Sequence, residues 1–315
     1  MSSTPTTNTP TPIPAIDPEP SDEPKAGAIG VTAVGRRHGP GAILYQIVSQ
    51  FLLLIWAAMV ILPFLWMIMT ALKSDMEILT DPFGLPERLL WENYERAWTT
   101  ANIGSYFFNT LFVMAMSLTG TLLISAMASY VLARFEFRAN RALYLLFSAG
   151  LMFPVFLGLV PLYFLMDDLR LLNTLHGLAL VYIAYSLPFT IFFMVGFFKT
   201  LPGEVAEAAI VDGATHYQTF FQIMLPMAKP GIIAMGIFNF LGQWNQFLLP
   251  LVLISNEDRY VLSQGLNFLA IQQGYNSDYS ALFAALVIVM VPTLIVYILF
   301  QRRLESGLTA GALKG

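Results

Sequence analysis

Six long stretches of this chain contain no Asp, Glu, Lys or Arg: residues 41–72, 101–133, 142–166, 171–198, 230–256 and 279–301. A helix needs about 20 residues to cross a hydrocarbon core about 30 Å thick, and every stretch reaches that length. In lipid the backbone must satisfy its own hydrogen bonds, which leaves helices or closed barrels. Barrel strands span about 10 residues and alternate in polarity; these stretches do neither. The expected architecture is all-α, a polytopic membrane protein with six transmembrane helices. Composition agrees, since 57% of the 315 residues are hydrophobic and only 11% charged. A soluble domain carries about 25% charged residues and needs them for its polar skin.

Charge sets the expected orientation. With six spans both termini share one side. If that side is the cytoplasm, eleven basic residues lie inside and five outside, with Arg36-Arg37, Arg134, Arg138, Arg141 and Arg302-Arg303 next to spans. This is the bias of the positive-inside rule, so both termini are expected in the cytoplasm of a multi-pass protein of a prokaryotic cell membrane. Residues 1–40, rich in Pro, Thr and Ser, read as a disordered cytoplasmic tail. Residues 41–306 form the membrane domain and 307–315 a cytoplasmic C-terminal tail. The external segment 73–100 reads as a solvated loop whose Trp91, Tyr94 and Trp98 suit a membrane boundary.

Several chemistries are excluded. There is no cysteine, hence no disulfide or thiolate site. The histidines, His38, His176 and His216, are far apart in sequence, and no phosphate-cradling Gly-x4-Gly-Lys-Ser/Thr loop occurs. A net charge of −4 offers no field for nucleic acid. No catalytic, cofactor or metal site is expected in this chain. An intramembrane hydrolase would have to rest on Ser148 and His176, with no supporting motif. The alternative transport mode is an ion-coupled secondary transporter or channel acting without an ATPase. It would call for ionisable side chains inside the spans, and the six stretches lack them.

One segment, about 200–228, is too polar to span and too apolar to float free. Pro202 suits a helix start, with Glu204 and Glu207 near the positive end of the dipole. Ala206, Ala208 and Ala209 favour helix and keep it slim. Asp212-Gly213 signals a stop, Ala214 follows, and a second short helix is expected from about His216 to Met224, closed by Pro226. The product is a helix–turn–helix elbow.

Glu207-Ala208-Ala209, then Asp212-Gly213-Ala214, then Ile223-x-Leu225-Pro226, resembles the Glu-Ala-Ala loop of binding-protein-dependent ATP-binding-cassette (ABC) importer permeases. Leu172-Asn173-Thr174, Pro188-Phe189 and Trp244-Asn245-x-Phe247 are similar to the carbohydrate branch of that family. The ending from Gly307 resembles that of six-span maltose-type permeases, with Leu313 where the family often has Val. The resemblance covers about 41–315.

It implies a permease subunit of a sugar importer, forming half of the path. Implied partners are a second homologous permease, two ABC ATPase subunits, an extracytoplasmic sugar-binding protein and membrane lipid. ATP and Mg are expected on the ATPase, with no cofactor in this chain. Glu204, Glu207, Ala208, Ala209, Asp212, Gly213, Ala214, Ile223, Leu225 and Pro226 would form the coupling helix that docks on the ATPase. Gly307, Leu308, Thr309, Ala310 and Gly311 would reach the ATPase dimer as an extended insert. Asn239, Gln243, Trp244, Asn245 and Phe247 are candidates for the sugar path, because amides bind hydroxyls and aromatic rings cover apolar sugar faces. The external segment 255–278, with Asn256-Glu257-Asp258 and residues 272–276, is an expected contact for the sugar-binding protein.

Overall fold

The structure is a computed structural model that describes residues 40–272 and 278–312, with side chains for 44–272 and 278–301. The expected tail up to residue 39, most of the 272–276 run and residues 313–315 lie outside the described residues. The chain divides into two units at Met59. The described part of the first is the opening of helix α1 (Pro40–Thr70), a run whose large apolar side chains, from Leu44 to Met59, are exposed. Everything below concerns the second unit, from Val60 onward.

Among the described residues every regular element is a helix. After α1 come α2 (Asp75–Thr80) and α3 (Glu92–Thr99), then α4 (Ile103–Arg134), α5 (Asn140–Gly150), α6 (Val155–Asp168) and α7 (Leu175–Thr200). The elbow supplies α8 (Gly203–Val211) and α9 (His216–Met227). Then follow α10 (Lys229–Trp244), α11 (Leu248–Leu253), α12 (Leu262–Gln272) and α13 (Tyr279–Ala312). Four helices are long and apolar enough to cross a membrane, and up to six spans result if each of two bent pairs counts as one.

Two of the six expected spans are not single continuous helices. The stretch 142–166 is α5 and α6 meeting at 101°. Pro154 lies at the break; it lacks an N–H and pushes the residue before it away from helical geometry. The stretch 230–256 is not one helix: α10 stops at Trp244, and Leu248 N donates to the Gln246 side chain (3.3 Å) as α11 begins. Its near-continuous neighbour is instead α9, at 71°.

The main pairing is α4 against α7. Ser117, Thr121, Ser125 and Ser129 recur every four residues on α4 and are all essentially fully buried. Such a stripe of small side chains lets two membrane helices approach closely. At Gly120 an added Cβ would stand 2.5 Å from Ile183 Cδ1, which places α7 directly over that glycine.

The segments expected as loops are folded. Asn93 Nδ2 donates to the carbonyls of Ala71 (2.9 Å) and Lys73 (2.8 Å), tying α3 to the end of α1. Arg96 pairs with Asp278 at 3.1 Å, and Asp75 accepts from Ser280 N and Oγ, fastening α2 and α3 to the start of α13. Helix α12 buries Leu262, Gln264, Gly265 and Leu269, so 262–272 is a packed helix rather than an open loop.

Glu77 closes a capping box with Ser74 and also accepts from Glu87 N at 2.9 Å. Hydrogen bonds from the Ser74 and then the Glu87 backbone hold its carboxyl below the usual carboxylate value. They favour the ionised form, so their stabilisation is present above the unfolded pKa and is lost as pH falls through the lowered folded one. Protection factors of the amides across residues 74–87 are therefore expected to fall in acid. Unchanged protection through that range would refute the cap's role.

Candidate functional site

The elbow is built by two reciprocal end signals. Helix α8 ends in a Schellman motif: Gly213 N donates to Ile210 O (3.0 Å) and Ala214 N to Ala209 O (2.9 Å). Gly213 takes φ +90°, the left-handed region that glycine enters without a Cβ penalty. Helix α9 starts at once from Thr215, whose hydroxyl accepts from Gln218 N while Gln218 Oε1 accepts from Thr215 N (2.8 Å). The expected start and end both hold to within a residue, with Pro202 as the N-cap and Gly203 the first helical residue. Pro226 does not close α9. A π-helical turn, Thr219–Met224, widens the ladder just before it, and helix continues to Met227.

Two faces result. Ala206, Ala209, Thr219, Phe220 and Met224 are buried, and Ala206, Phe220 and Met224 cluster with Tyr130 of α4 and Phe198 of α7. The Tyr130 and Phe220 rings lie 5.1 Å apart. Arg134, in the last turn of α4, donates to the Leu201 carbonyl at the elbow's entry. The other face leaves Glu204, Glu207, Ala208, Asp212 and Gly213 exposed, with Pro226 exposed farther along. Ala214, Ile223 and Leu225 are half-buried. Ala209 thus separates from Ala208: one belongs to the inner packing, the other to the outer face. Val211 (86% exposed) and Tyr217 (71%) share the outer face and escaped sequence reasoning. Their signal was an apolar residue at Val211 that the small inner face, Ala206 and Ala209, leaves without a place.

The five sugar-path candidates, on α10 and just after it, do not all border one cavity. Asn239 and Gln243, one turn apart, are buried between helices. Gln243 Oε1 accepts from Ser117 Oγ (2.5 Å) and its Nε2 donates to Ser186 Oγ (3.1 Å), while Asn239 Nδ2 donates to Thr190 Oγ1 (3.0 Å). These two border a cavity of about 160 Å³ with Tyr185, Phe189 and Gln246. Trp244, Asn245 and Phe247 border a different cavity of about 410 Å³ with Ser263 and Asn267. A helix turns about 100° per residue, which carries 244 and 245 away from the 239/243 face. Trp244 is itself buried, its Nε1 donating to Val289 O (3.1 Å) and its ring stacked 5.5 Å from Phe240. The aromatic lining Tyr182, Tyr185 and Phe189 was missed; its i, i+3, i+7 spacing on α7 was the available signal.

Gln243→Leu is expected to cost about 1–2 kcal/mol, the upper range for hydrogen bonds between membrane helices. A double-mutant cycle with Ser186→Ala, read by thermal unfolding in detergent, is expected to show coupling of about 0.6 kcal/mol. Strict additivity would count against the bridge.

Gly307 to Gly311 lie within α13, whose backbone stays helical to Ala312, so the extended insert expected there is a helix up to that point. Their side chains lie outside the described residues.

Residues 120–310 match the family described as "Binding-protein-dependent transport system inner membrane component". The chain is 50% identical over 270 residues to the diacetylchitobiose uptake system permease protein NgcG of Streptomyces coelicolor, covering 86% of this chain and 89% of that one. It is 34% identical to the arabinooligosaccharides transport system permease protein AraQ of Halalkalibacterium halodurans, over 82% of this chain and 93% of that one. In fold it is similar to a chain of a bacterial ABC transporter involved in the import of the acidic polysaccharide alginate. That match has a TM-score of 0.74 at 22% identity, covering 84% of this chain and 98% of that chain.

Proposed function

The chain belongs to the binding-protein-dependent transport system inner membrane component family, and from that membership we propose how it works as a permease subunit of an ABC importer for sugars. It is a non-catalytic subunit; no covalent step falls to it. Six spans, one of them the bent α5–α6 pair and one running through α10 and α11, with both termini cytoplasmic, form half of a path completed by a second, homologous permease. Two ATPase subunits bind ATP and Mg and act on the elbow. An extracytoplasmic binding protein delivers an oligosaccharide, and the 50% identity to the diacetylchitobiose permease favours a short, N-acetylated one.

The observation that carries this reading is the division of the elbow into two faces. Its outer face, Glu204, Glu207, Ala208, Val211 and Asp212, is free to meet a partner. Its inner face is packed on Tyr130 and Phe198, the cytoplasmic ends of the tightly paired α4 and α7. Close-packed side chains transmit displacement rather than absorb it. A push on the elbow therefore moves α4 and α7, and with them α10, whose Gly231 lies so close to Phe197 that a Cβ would stand 2.7 Å from its ring. Alternating access is a shift between two such packings.

Glu207→Lys tests it in the co-expressed transporter. The ATPase is expected to drop out of the purified complex and sugar uptake to cease, while the second permease still co-purifies. Retention of the ATPase with normal uptake would overturn the docking role.

A further inference from the structure

Outside the six charge-free stretches, one segment exposes an unusual amount of apolar surface. Met76, Leu79, Phe83, Leu85, Leu89 and Trp91 are each between 58% and 83% exposed. We propose that this segment, residues 76–91, lies in the headgroup boundary of the membrane leaflet at the α1–α2 end, as a foot that fixes the depth of α1. The proposal rests on the reading of α1 as a span.

The exposure is built, not the result of a trailing loop. Leu90 N donates to Leu72 O (3.0 Å), Gly84 N to the Asp81 carboxylate (3.0 Å), and the buried Lys73 ammonium to Asp81 O (2.8 Å). The polar groups at the base of the segment are thus spent on its own fold, and its apolar side chains are turned outward.

The depth follows from Trp66. Its Nε1 donates to Pro82 O (2.7 Å) and its ring lies 6.0 Å from Phe83. Trp66 precedes the end of α1 at Thr70 by one turn, about 6 Å along the axis. Phe83 is therefore drawn below the end of the helix, to the depth of its last apolar turns, where Leu62 and Leu65 are also exposed. The patch continues the apolar surface of the span, and surface of this kind at that level fits the boundary between headgroups and acyl chains. Trp91, stacked with Tyr94 at 6.0 Å, suits the same zone. Arg88 and Glu87, both exposed, sit at the end where headgroups and water begin.

The chain has no cysteine, so each introduced cysteine is the single labelling site in this subunit, and the unsubstituted transporter labelled in parallel gives the background from its partners. Leu79→Cys, Leu85→Cys and Leu89→Cys are spin-labelled, with Leu65→Cys as the span control and Asp258→Cys as the aqueous control. The full transporter is reconstituted in vesicles of phosphatidylethanolamine and phosphatidylglycerol. The ratio of collision rates with O₂ and with a water-soluble nickel chelate is read at each site. The foot predicts a ratio several-fold higher at 79, 85 and 89 than at 258. Water-like ratios at those three sites, with a lipid-like ratio at 65, would overturn the foot and leave the span intact. A water-like ratio at 65 would overturn the span reading itself. Shielding from both reagents at 79, 85 and 89 would put a protein partner on the patch and equally overturn the proposal.

Discussion

Gly213→Val is expected to abolish sugar uptake while the protein still accumulates in the membrane. At φ +90° a β-branched residue costs about 1–3 kcal/mol in backbone strain. Nothing lies within 4 Å of where its Cβ would stand, so crowding within this chain contributes nothing. The strain is relieved most cheaply by opening the turn, which forfeits the Gly213–Ile210 and Ala214–Ala209 hydrogen bonds and swings the outer face away from its alignment. Because the turn is exposed and the membrane helices do not depend on it, insertion survives. Gly213→Asn, which tolerates the left-handed region, is expected to retain much of the uptake. Immunoblotting of membranes with uptake of labelled oligosaccharide separates loss of protein from loss of coupling. Normal import by Gly213→Val would remove the elbow from the mechanism.

The second large effect falls on Asn173, between α6 and α7. It too is left-handed, at φ 56°. Its Oδ1 accepts from Ser255 N (2.6 Å), Ser255 Oγ (3.0 Å) and Asn256 N (3.0 Å), and its own N–H donates to Leu253 O (2.9 Å). The Arg259 guanidinium closes on its carbonyl. One side chain therefore clamps the loop after α11 to the loop before α7. Asn173→Gly keeps the backbone but loses the acceptor, for a cost of roughly 2 kcal/mol given the exposure of these bonds. Asn173→Val adds about 1–2 kcal/mol for the left-handed geometry. Thermal unfolding of the detergent-solubilised transporter is expected to rank wild type above Asn173→Gly above Asn173→Val. Coincident transitions would show that the clamp carries no stability.

Asn173 also illustrates what local pattern conveys. Leu172-Asn173-Thr174 is legible as a family likeness; that Thr174 caps α7 by accepting from Gly177 N (3.1 Å) comes from the structure. That Asn173 gathers three donors from 82 and 83 residues away is invisible in sequence, because nothing local records which loop folds back. The turn of the elbow was readable almost to the residue, since Pro202 and Gly213 act through their own backbone, whereas the Thr215 hydroxyl cap that starts α9 was not read. Gly265 was not: a Cβ there would stand 2.0 Å from the Tyr106 ring, a constraint imposed by α4.

By itself the sequence determined that this chain is helical, that it belongs in a membrane, and where its elbow turns. Charge-free length, proline at a helix start and glycine at a left-handed position act within a few residues, so they are written locally. Only the tertiary structure decided that 142–166 bends by 101°, that Asn239 and Gln243 part from Trp244 and Asn245, and that Ala208 faces out while Ala209 faces in. Those outcomes depend on which helices meet. An all-apolar helix carries no amphipathic stripe to announce its neighbour, and only packing assigns its faces.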